Sequence, residues 1–252
     1  MKLESFGLSD VGLRRTHNED SFHRCDETGL YLVADGMGGH AAGEVASNNA
    51  IAAIVEFSER HQASDATWPF DFDPAYNRAI NVLITGVRAA NQRLYNMQRE
   101  QPELNGMGTT IAGLLLRDGA AVAVHVGDSR VYRWRGEELK QVTSDHSWVN
   151  EQLMKKIITP EEARNHRYKN VITRALGNRV ELEVEVGMDE LKPGDVYLIC
   201  SDGLSGMVED NVMSEILKTN HELREAANKL VAAANEAGGH DNITVVLIRA
   251  LE

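Results

Sequence analysis

Four aspartates in this sequence stand beside or close to glycine at the edge of an apolar run. Asp35 follows LYLVA and precedes Gly36, Asp128 follows AVAVHVG, Asp202 follows VYLICS and precedes Gly203, and Asp241 follows Gly238-Gly239-His240 and precedes ITVVLI. Asn18-Glu19-Asp20 adds two more acids near the N-terminus. A single Asp-Gly after a strand is ordinarily a turn. Four of them, each bordering a strand, become a cluster if the strands converge, and glycine lets the backbone approach a ligand there. Clustered carboxylates repel one another unless they are protonated or hold a cation. An oxygen-only donor set, without accompanying Cys or His pairs, favours Mg2+ or Mn2+ over Zn2+. The chemistry open to such a centre is hydrolysis. Two cations about 3.5–4 Å apart lower the pKa of a shared water and supply hydroxide at neutral pH.

Positioning those acids requires particular elements. LYLVA at 30–34 reads as a buried strand broken by DGMGG at 35–39, and 41–57 has the apolar spacing of a core-packed helix. A second helix is expected from Pro74 to about Arg99, ended by Pro102 and Gly106. Apolar runs at 111–116, 121–126, 131–134 and 139–142, separated by turn residues, predict an antiparallel meander. The stretch 144–178 is polar and rich in His, Lys and Arg, as an insertion over the sheet would be. Strands are expected at 181–186, 196–200 and 243–251, with helices at about 210–218 and 222–237. Strands mixed with helix pairs, without strict β-α-β alternation, predict an α+β layered fold.

Bulk properties narrow the function classes. A chain of 252 residues with 42% hydrophobic and 25% charged residues suits one soluble domain spanning 1–252. Thirty-eight acidic against 26 basic residues give a net charge of −12, which argues against nucleic acid or anionic lipid as partner. Only two cysteines occur, Cys25 and Cys200. With no apolar leader at the start and no apolar window of membrane-spanning length, the expected location is the cytoplasm.

Read in order, Arg15-Thr16-His17-Asn18-Glu19-Asp20, Asp35-Gly36-Met37-Gly38-Gly39-His40, Gly108-Thr109-Thr110, Val126-Gly127-Asp128-Ser129-Arg130, Ser201-Asp202-Gly203-Leu204 and Asp241-Asn242-Ile243-Thr244 form an ordered motif set. This set resembles the bacterial type 2C metal-dependent Ser/Thr protein phosphatases (the PPM family), from about Phe6 to Leu247. The resemblance implies a four-layer αββα sandwich, two antiparallel sheets flanked by helices, with 144–178 as a flap subdomain beside the active site. It implies two tightly bound Mn2+ or Mg2+ ions and a third, weaker one. Asp35 would bridge the first two, the Gly36 carbonyl would bind one, and Asp202 and Asp241 would complete the shell. Asp128, with Asp202, would hold the third ion, and Glu19 and Asp20 would act through metal-bound waters. Arg15 would bind phosphate oxygens with its planar fork of donors, and His40 would be the proton donor to the leaving oxygen, in the bacterial position three residues beyond Met37. The flap's Lys155, Lys156, Arg164, Arg167 and Lys169 would face an acidic phosphopeptide. Phosphorylated proteins, a Ser/Thr protein kinase and its substrates are the implied partners of a monomeric enzyme.

Other readings compete. Gly36 to Ala41 also fits G-x-G-x-x-A with Glu56 about twenty residues on, a dinucleotide fingerprint. Asp35 would then set a carboxylate against a pyrophosphate, and β-α-β alternation is missing. Gly203-Leu204-Ser205-Gly206-Met207 lacks the last glycine of a nucleophile elbow. The remaining alternative is a catalytically inactive phosphoprotein-binding module on the same fold, which would be expected to have lost the metal-type aspartates.

Overall fold

The computed structural model describes residues 1–38, 42–61, 70, 72–164 and 166–252. In chain order the elements begin with β1 (Leu3–Asp10), β2 (Asp20–Cys25), β3 (Leu30–Met37), α1 (Ala42–Arg60) and α2 (Arg78–Glu100). Next come β4 (Gly108–Thr109), β5 (Ile111–Arg117), β6 (Ala120–Val126), β7 (Arg130–Arg135), β8 (Glu138–Gln141), α3 (Trp148–Met154) and α4 (Pro160–Arg164). The chain closes with β9 (Glu185–Glu190), β10 (Val196–Cys200), α5 (Asp202–Ser205), α6 (Asp210–Thr219), α7 (Leu223–Glu236) and β11 (Ile243–Ala250).

The strands form two antiparallel sheets. One runs β1-β11-β10-β7-β8, and the other runs β2-β3-β5-β6-β9 with β4 added beside β3. Side chains alternate across a strand, so the uninterrupted apolar runs belong to strands covered on both faces. Leu30, Leu32 and Ala34 of β3 pack with Ala46, Ala50, Ile54, Leu83 and Val87 of the two long helices. Tyr31 and Val33, on the opposite face, meet Tyr197, Ile199, Val246 and Ile248 of the other sheet. On that sheet Leu198, Cys200, Val245 and Leu247 point away, onto Met213, Leu217, Ala227 and Leu230 of α6 and α7. Three apolar layers separated by two sheets make the αββα sandwich, and the antiparallel pairings exclude the dinucleotide fold.

Several sequence expectations need correction. The four runs of the expected meander do not lie in one sheet: β5 and β6 pair in one, β7 and β8 in the other. Two hairpins do close as expected, through Asp118-Gly119 (φ 52° and 77°) and Gly136-Glu137 (φ 58° and 68°). Positive φ at both central residues matches the right-handed twist of the flanking strands. Between them, at Gly127-Asp128, the chain crosses from sheet to sheet, so this turn signal marks a crossover. The second helix starts at Arg78, not Pro74, because Asn77 caps it by accepting from the Ile80 N–H at 3.0 Å. The strand expected at 181–186 begins at Glu185. Strands β1 and β2 were not foreseen, since their polar residues blur the alternation; both are intermediate in burial along most of their length.

Candidate active site

The acids come from both sheets and from the crossover between them. Asp20 of β2 lies directly opposite Asp35 of β3 in the antiparallel register, a like-charge pairing that costs stability unless something compensates. Asp202 opens α5 immediately beyond β10, and Asp241 sits in the turn just before β11. Asp128 lies on the crossover between β6 and β7. All five therefore reach one end of the sandwich, where the two sheets meet.

Backbone locks hold them there. The Asp35 N–H donates to Thr110 Oγ1 at 3.0 Å, and its carbonyl accepts from Thr110 N and Thr109 Oγ1 at 2.9 and 2.8 Å. Thr110 Oγ1 lies 2.7 Å from Ser129 Oγ, which joins the Asp35 strand to the Asp128 crossover. Ser201 Oγ donates to Asp20 Oδ2 at 2.8 Å while accepting from the Thr244 N–H at 3.0 Å, tying an acid of one sheet to the other. Asn242 accepts from the Glu19 N–H at 2.8 Å and donates to the Val11 and His17 carbonyls. The loop that carries Arg15 is thus pinned beside Asp241, and Arg15 Nη2 donates to Asp241 Oδ2 at 2.7 Å. Gly43, in the first turn of α1, leaves room for the Glu19 carboxylate; a Cβ there would come within 2.6 Å of Oε1.

Ser201, Thr110, Ser129 and Asn242 were visible in the sequence only as members of the motifs. Their task is to fix the acids, and short hydroxyl and amide side chains at strand ends give no other signal. His40 lies outside the described residues.

The electrostatics follow from the crowding. Burial, then the charges of Asp20, Asp202, Asp128 and Asp241, push the Asp35 carboxyl well above the ordinary range. Burial and neighbouring acids push Asp20 and Asp128 up to about 7. Asp202 is raised by burial and by Asp241, against the pull of a hydrogen bond with Asp35 and the charge of Arg15. Burial raises Glu19, with Arg15 opposing. Among the described residues, oxygens Glu19 Oε1, Asp20 Oδ1 and Asp202 Oδ1 are buried without a hydrogen-bond partner. Unpaired, mutually repelling oxygens are the donor set a hard divalent cation requires.

A pH dependence follows. In the unfolded chain an aspartate releases its proton near 3.8, whereas Asp20 and Asp128 hold theirs to about 7 when folded. Between those values the unfolded chain carries fewer protons, so stability falls as pH rises. The metal-free protein is expected to melt at a higher temperature at pH 5.5 than at pH 8. Saturating Mn2+ should remove most of the difference, and the Asp20→Asn/Asp128→Asn pair should narrow it, leaving the share that the raised carboxyls of Asp35 and Asp202 contribute. A difference as large in that double variant as in the wild type would place its origin elsewhere.

Comparison with known proteins matches this geometry to a family. The family model for protein phosphatase 2C matches residues 13–243. The chain belongs to the protein phosphatase 2C family. Within the family it is 37% identical over 244 residues to protein phosphatase PhpP of Streptococcus pneumoniae, covering 96% of this chain and 95% of that one. The crystal structure of the Mycobacterium tuberculosis serine/threonine phosphatase PstP/Ppp superposes with a TM-score of 0.88 at 39% identity, covering 100% of both chains. The PstP catalytic domain in complex with two manganese ions gives a TM-score of 0.85 at 38% identity, covering 100% of this chain and 99% of that one. This protein phosphatase 2C member is accordingly a phosphatase that acts on phosphoproteins. It retains Asp35, Asp128, Asp202 and Asp241, so the inactive-module alternative is not favoured. Among the described residues no helix is long and apolar enough to cross a membrane.

Proposed function

We propose that the protein hydrolyses phosphoserine and phosphothreonine esters at a manganese or magnesium centre built from the acids at the sheet junction. The observation that carries this reading is the convergence of acids from both sheets, leaving carboxylate oxygens buried without a hydrogen-bond partner among the described residues. Asp35 and the Gly36 carbonyl, with Asp202 and Asp241, would hold two ions. Asp128 and Asp202 would share a third, and Glu19 and Asp20 would engage through water. Bound there, the ions supply a nucleophile from water at neutral pH and positive charge for the phosphoryl oxygens.

The chain's own residues do the rest. The five acid-bearing segments fix where charge is held, and the hydrogen bonds of Glu19, Asp20 and Asp35 to Asn242, Ser201, Thr109 and Thr110 keep that arrangement from relaxing. Arg15, with a side chain 48% exposed at the rim, orients the phosphate by two parallel donors. Segment 144–178 acts as a flap: it contributes Ser147, Asn150, Leu153 and Lys169 to a cleft that also reaches Asp128 and Asp202. We further assign a Ser/Thr kinase and its substrates as partners, a monomeric state and a cytoplasmic location.

The test is hydrolysis of a phosphothreonine peptide by EDTA-stripped protein with and without Mn2+. Turnover only after Mn2+ is added supports the reading; bound metal without turnover overturns it. Arg15→Ala is expected to raise KM about tenfold with little change in kcat, as loss of ground-state phosphate binding would. Unaltered KM on the same peptide would remove Arg15 from the substrate site.

A further inference from the structure

The base of the flap meets the Asp128 crossover at two adjacent residues: Asp145 accepts from Arg130 Nη2 at 2.6 Å, and His146 bonds Gly127. His146, 7% exposed, donates its backbone N–H to the Gly127 carbonyl at 2.7 Å, and the Gly127 N–H donates back to His146 Nδ1 at 3.1 Å. Both polar groups of the residue that precedes Asp128 are therefore held by His146. Gly127 has φ 114°, and a Cβ there would meet Thr110 Cγ2 at 2.6 Å, so the turn requires glycine, whose permissive backbone leaves its position to the bonds that hold it. The other contacts of His146 belong to the flap and to the sheet beneath it. Its carbonyl accepts from Thr173 N at 2.7 Å, and Trp148 N donates to Val171 O at 2.8 Å, closing the two ends of the flap on each other. His146 Nε2 lies 3.0 Å from Glu185 Oε2, at the start of β9. The His125 ring lies against that of His146, 4.6 Å between centroids and tilted by 36°.

His125, His146 and Glu185 place three donor atoms within 4.8 Å of one another, a set that zinc could use. The hydrogen bonds argue against it. Because Nδ1 of His146 accepts the Gly127 N–H, the ring proton sits on Nε2, where it is donated to Glu185. A metal on Nε2 would need that proton moved to Nδ1, facing an N–H that is itself a donor. Arg174, whose Nη1 lies 3.5 Å from His146 Nε2, adds a positive charge at the same place. His125 is 1% exposed, and among the described residues neither ring nitrogen has a hydrogen-bond partner; its ring packs against that of His146.

We propose that His146 is a positioning residue that couples the flap to the Asp128 cation site, with its Nδ1 gripping Gly127 and its Nε2 and backbone held by Glu185 and the flap. This rests on the reading of Asp128 as a cation ligand. A shift of the flap base that pulls His146 displaces the Gly127-Asp128 peptide. By reciprocity a cation held at Asp128 restrains the flap.

Two substitutions separate the two ends of the side chain. His146→Asn keeps an amide acceptor where Nδ1 stands and gives up Glu185, whereas His146→Gln reaches toward Glu185 and gives up the acceptor for the Gly127 N–H, leaving only the backbone bond to the Gly127 carbonyl. Mn2+ binding isotherms on the intact protein are the readout, with Asp128→Asn as reference for the site. In His146→Gln the weakest Mn2+ site is expected to lose about tenfold in affinity, the cost of removing a group that orients a ligand, while the tighter sites stay within about twofold. His146→Asn is expected to remain near wild type at every site. Equal weakening of all sites in both variants, or no weakening in His146→Gln, overturns the coupling. If Asp128→Asn itself leaves the weakest site intact, the assignment of Asp128 has failed instead, and the coupling falls with it. An additional equivalent of Zn2+ that His125→Ala abolishes would overturn the tautomer on which the argument depends.

Discussion

Asp35→Asn is expected to lower turnover of a phosphothreonine peptide about 10³-fold or more at saturating Mn2+, the loss that follows when several kcal/mol of metal-supplied stabilisation disappear. Asp35 is the acid most crowded by others: burial and four neighbouring aspartates all raise its pKa. An amide of the same shape removes one negative charge from that crowd without opening a cavity. The same substitution should therefore leave the metal-free protein at pH 8 as stable as the wild type or more so, by thermal melting. The rise in melting temperature that Mn2+ confers on the wild type should largely vanish in the variant, since a ligand stabilises only in proportion to its binding. Loss of activity together with a lower metal-free melting temperature would mean that Asp35 is a structural hydrogen-bond partner. Loss of activity with unchanged Mn2+ stabilisation would mean that it does not hold the ion.

Gly203→Ala should be the most destabilising single methyl in the protein's active-site end, costing upward of about 3 kcal/mol in urea or thermal unfolding. Gly203 follows Asp202, and a Cβ on it would strike the backbone carbonyl of Asn242, the residue after Asp241. The obstacle is main chain, held in place because the Asn242 side chain bonds the loop at Val11, His17 and Glu19, so it cannot swing aside as a side-chain tip would. The close approach at Gly203 is what lets Asp202 and Asp241 share one site, so residual folded variant should also bind Mn2+ weakly. Gly119→Ala is the control. Its Cβ meets nothing within 4 Å, and only the positive φ of 77° opposes it, a cost of about 1 kcal/mol. Comparable losses at the two positions would show that the Gly203 contact relaxes.

Much of this was legible because the strands buried on both faces announce themselves as unbroken apolar runs, and the acids border those runs. LYLVA, VYLIC and ITVVLI all proved to be central strands, with Asp35, Asp202 and Asp241 at or just beyond their ends. What the residues could not say was where strands pair. The Gly127-Asp128 signal looks like any hairpin turn, and nothing local distinguishes it from the Asp118-Gly119 hairpin, yet it carries the chain from one sheet to the other. Strands β1 and β2 escaped notice because their partly exposed residues mix Ser, Arg, His and Asp with apolar ones. Glu185 and His146 were hidden for a different reason: they lie 39 residues apart, and only the pairing of β9 with β6 brings them to one place.

The position of β11 has a consequence for biosynthesis. It lies between β1 and β10, pairing Leu3 with Ala250 and Asp10 with Ile243. On the ribosome, β1 must wait for β11, made after every other strand of both sheets. Until residues 243–250 emerge, β1 has no neighbour in its sheet, Asp241 has no frame, and a row of backbone donors and acceptors stands open to other chains. Loss of β11 would thus take an interior strand from the sheet and not an edge, and leave β1 unpaired.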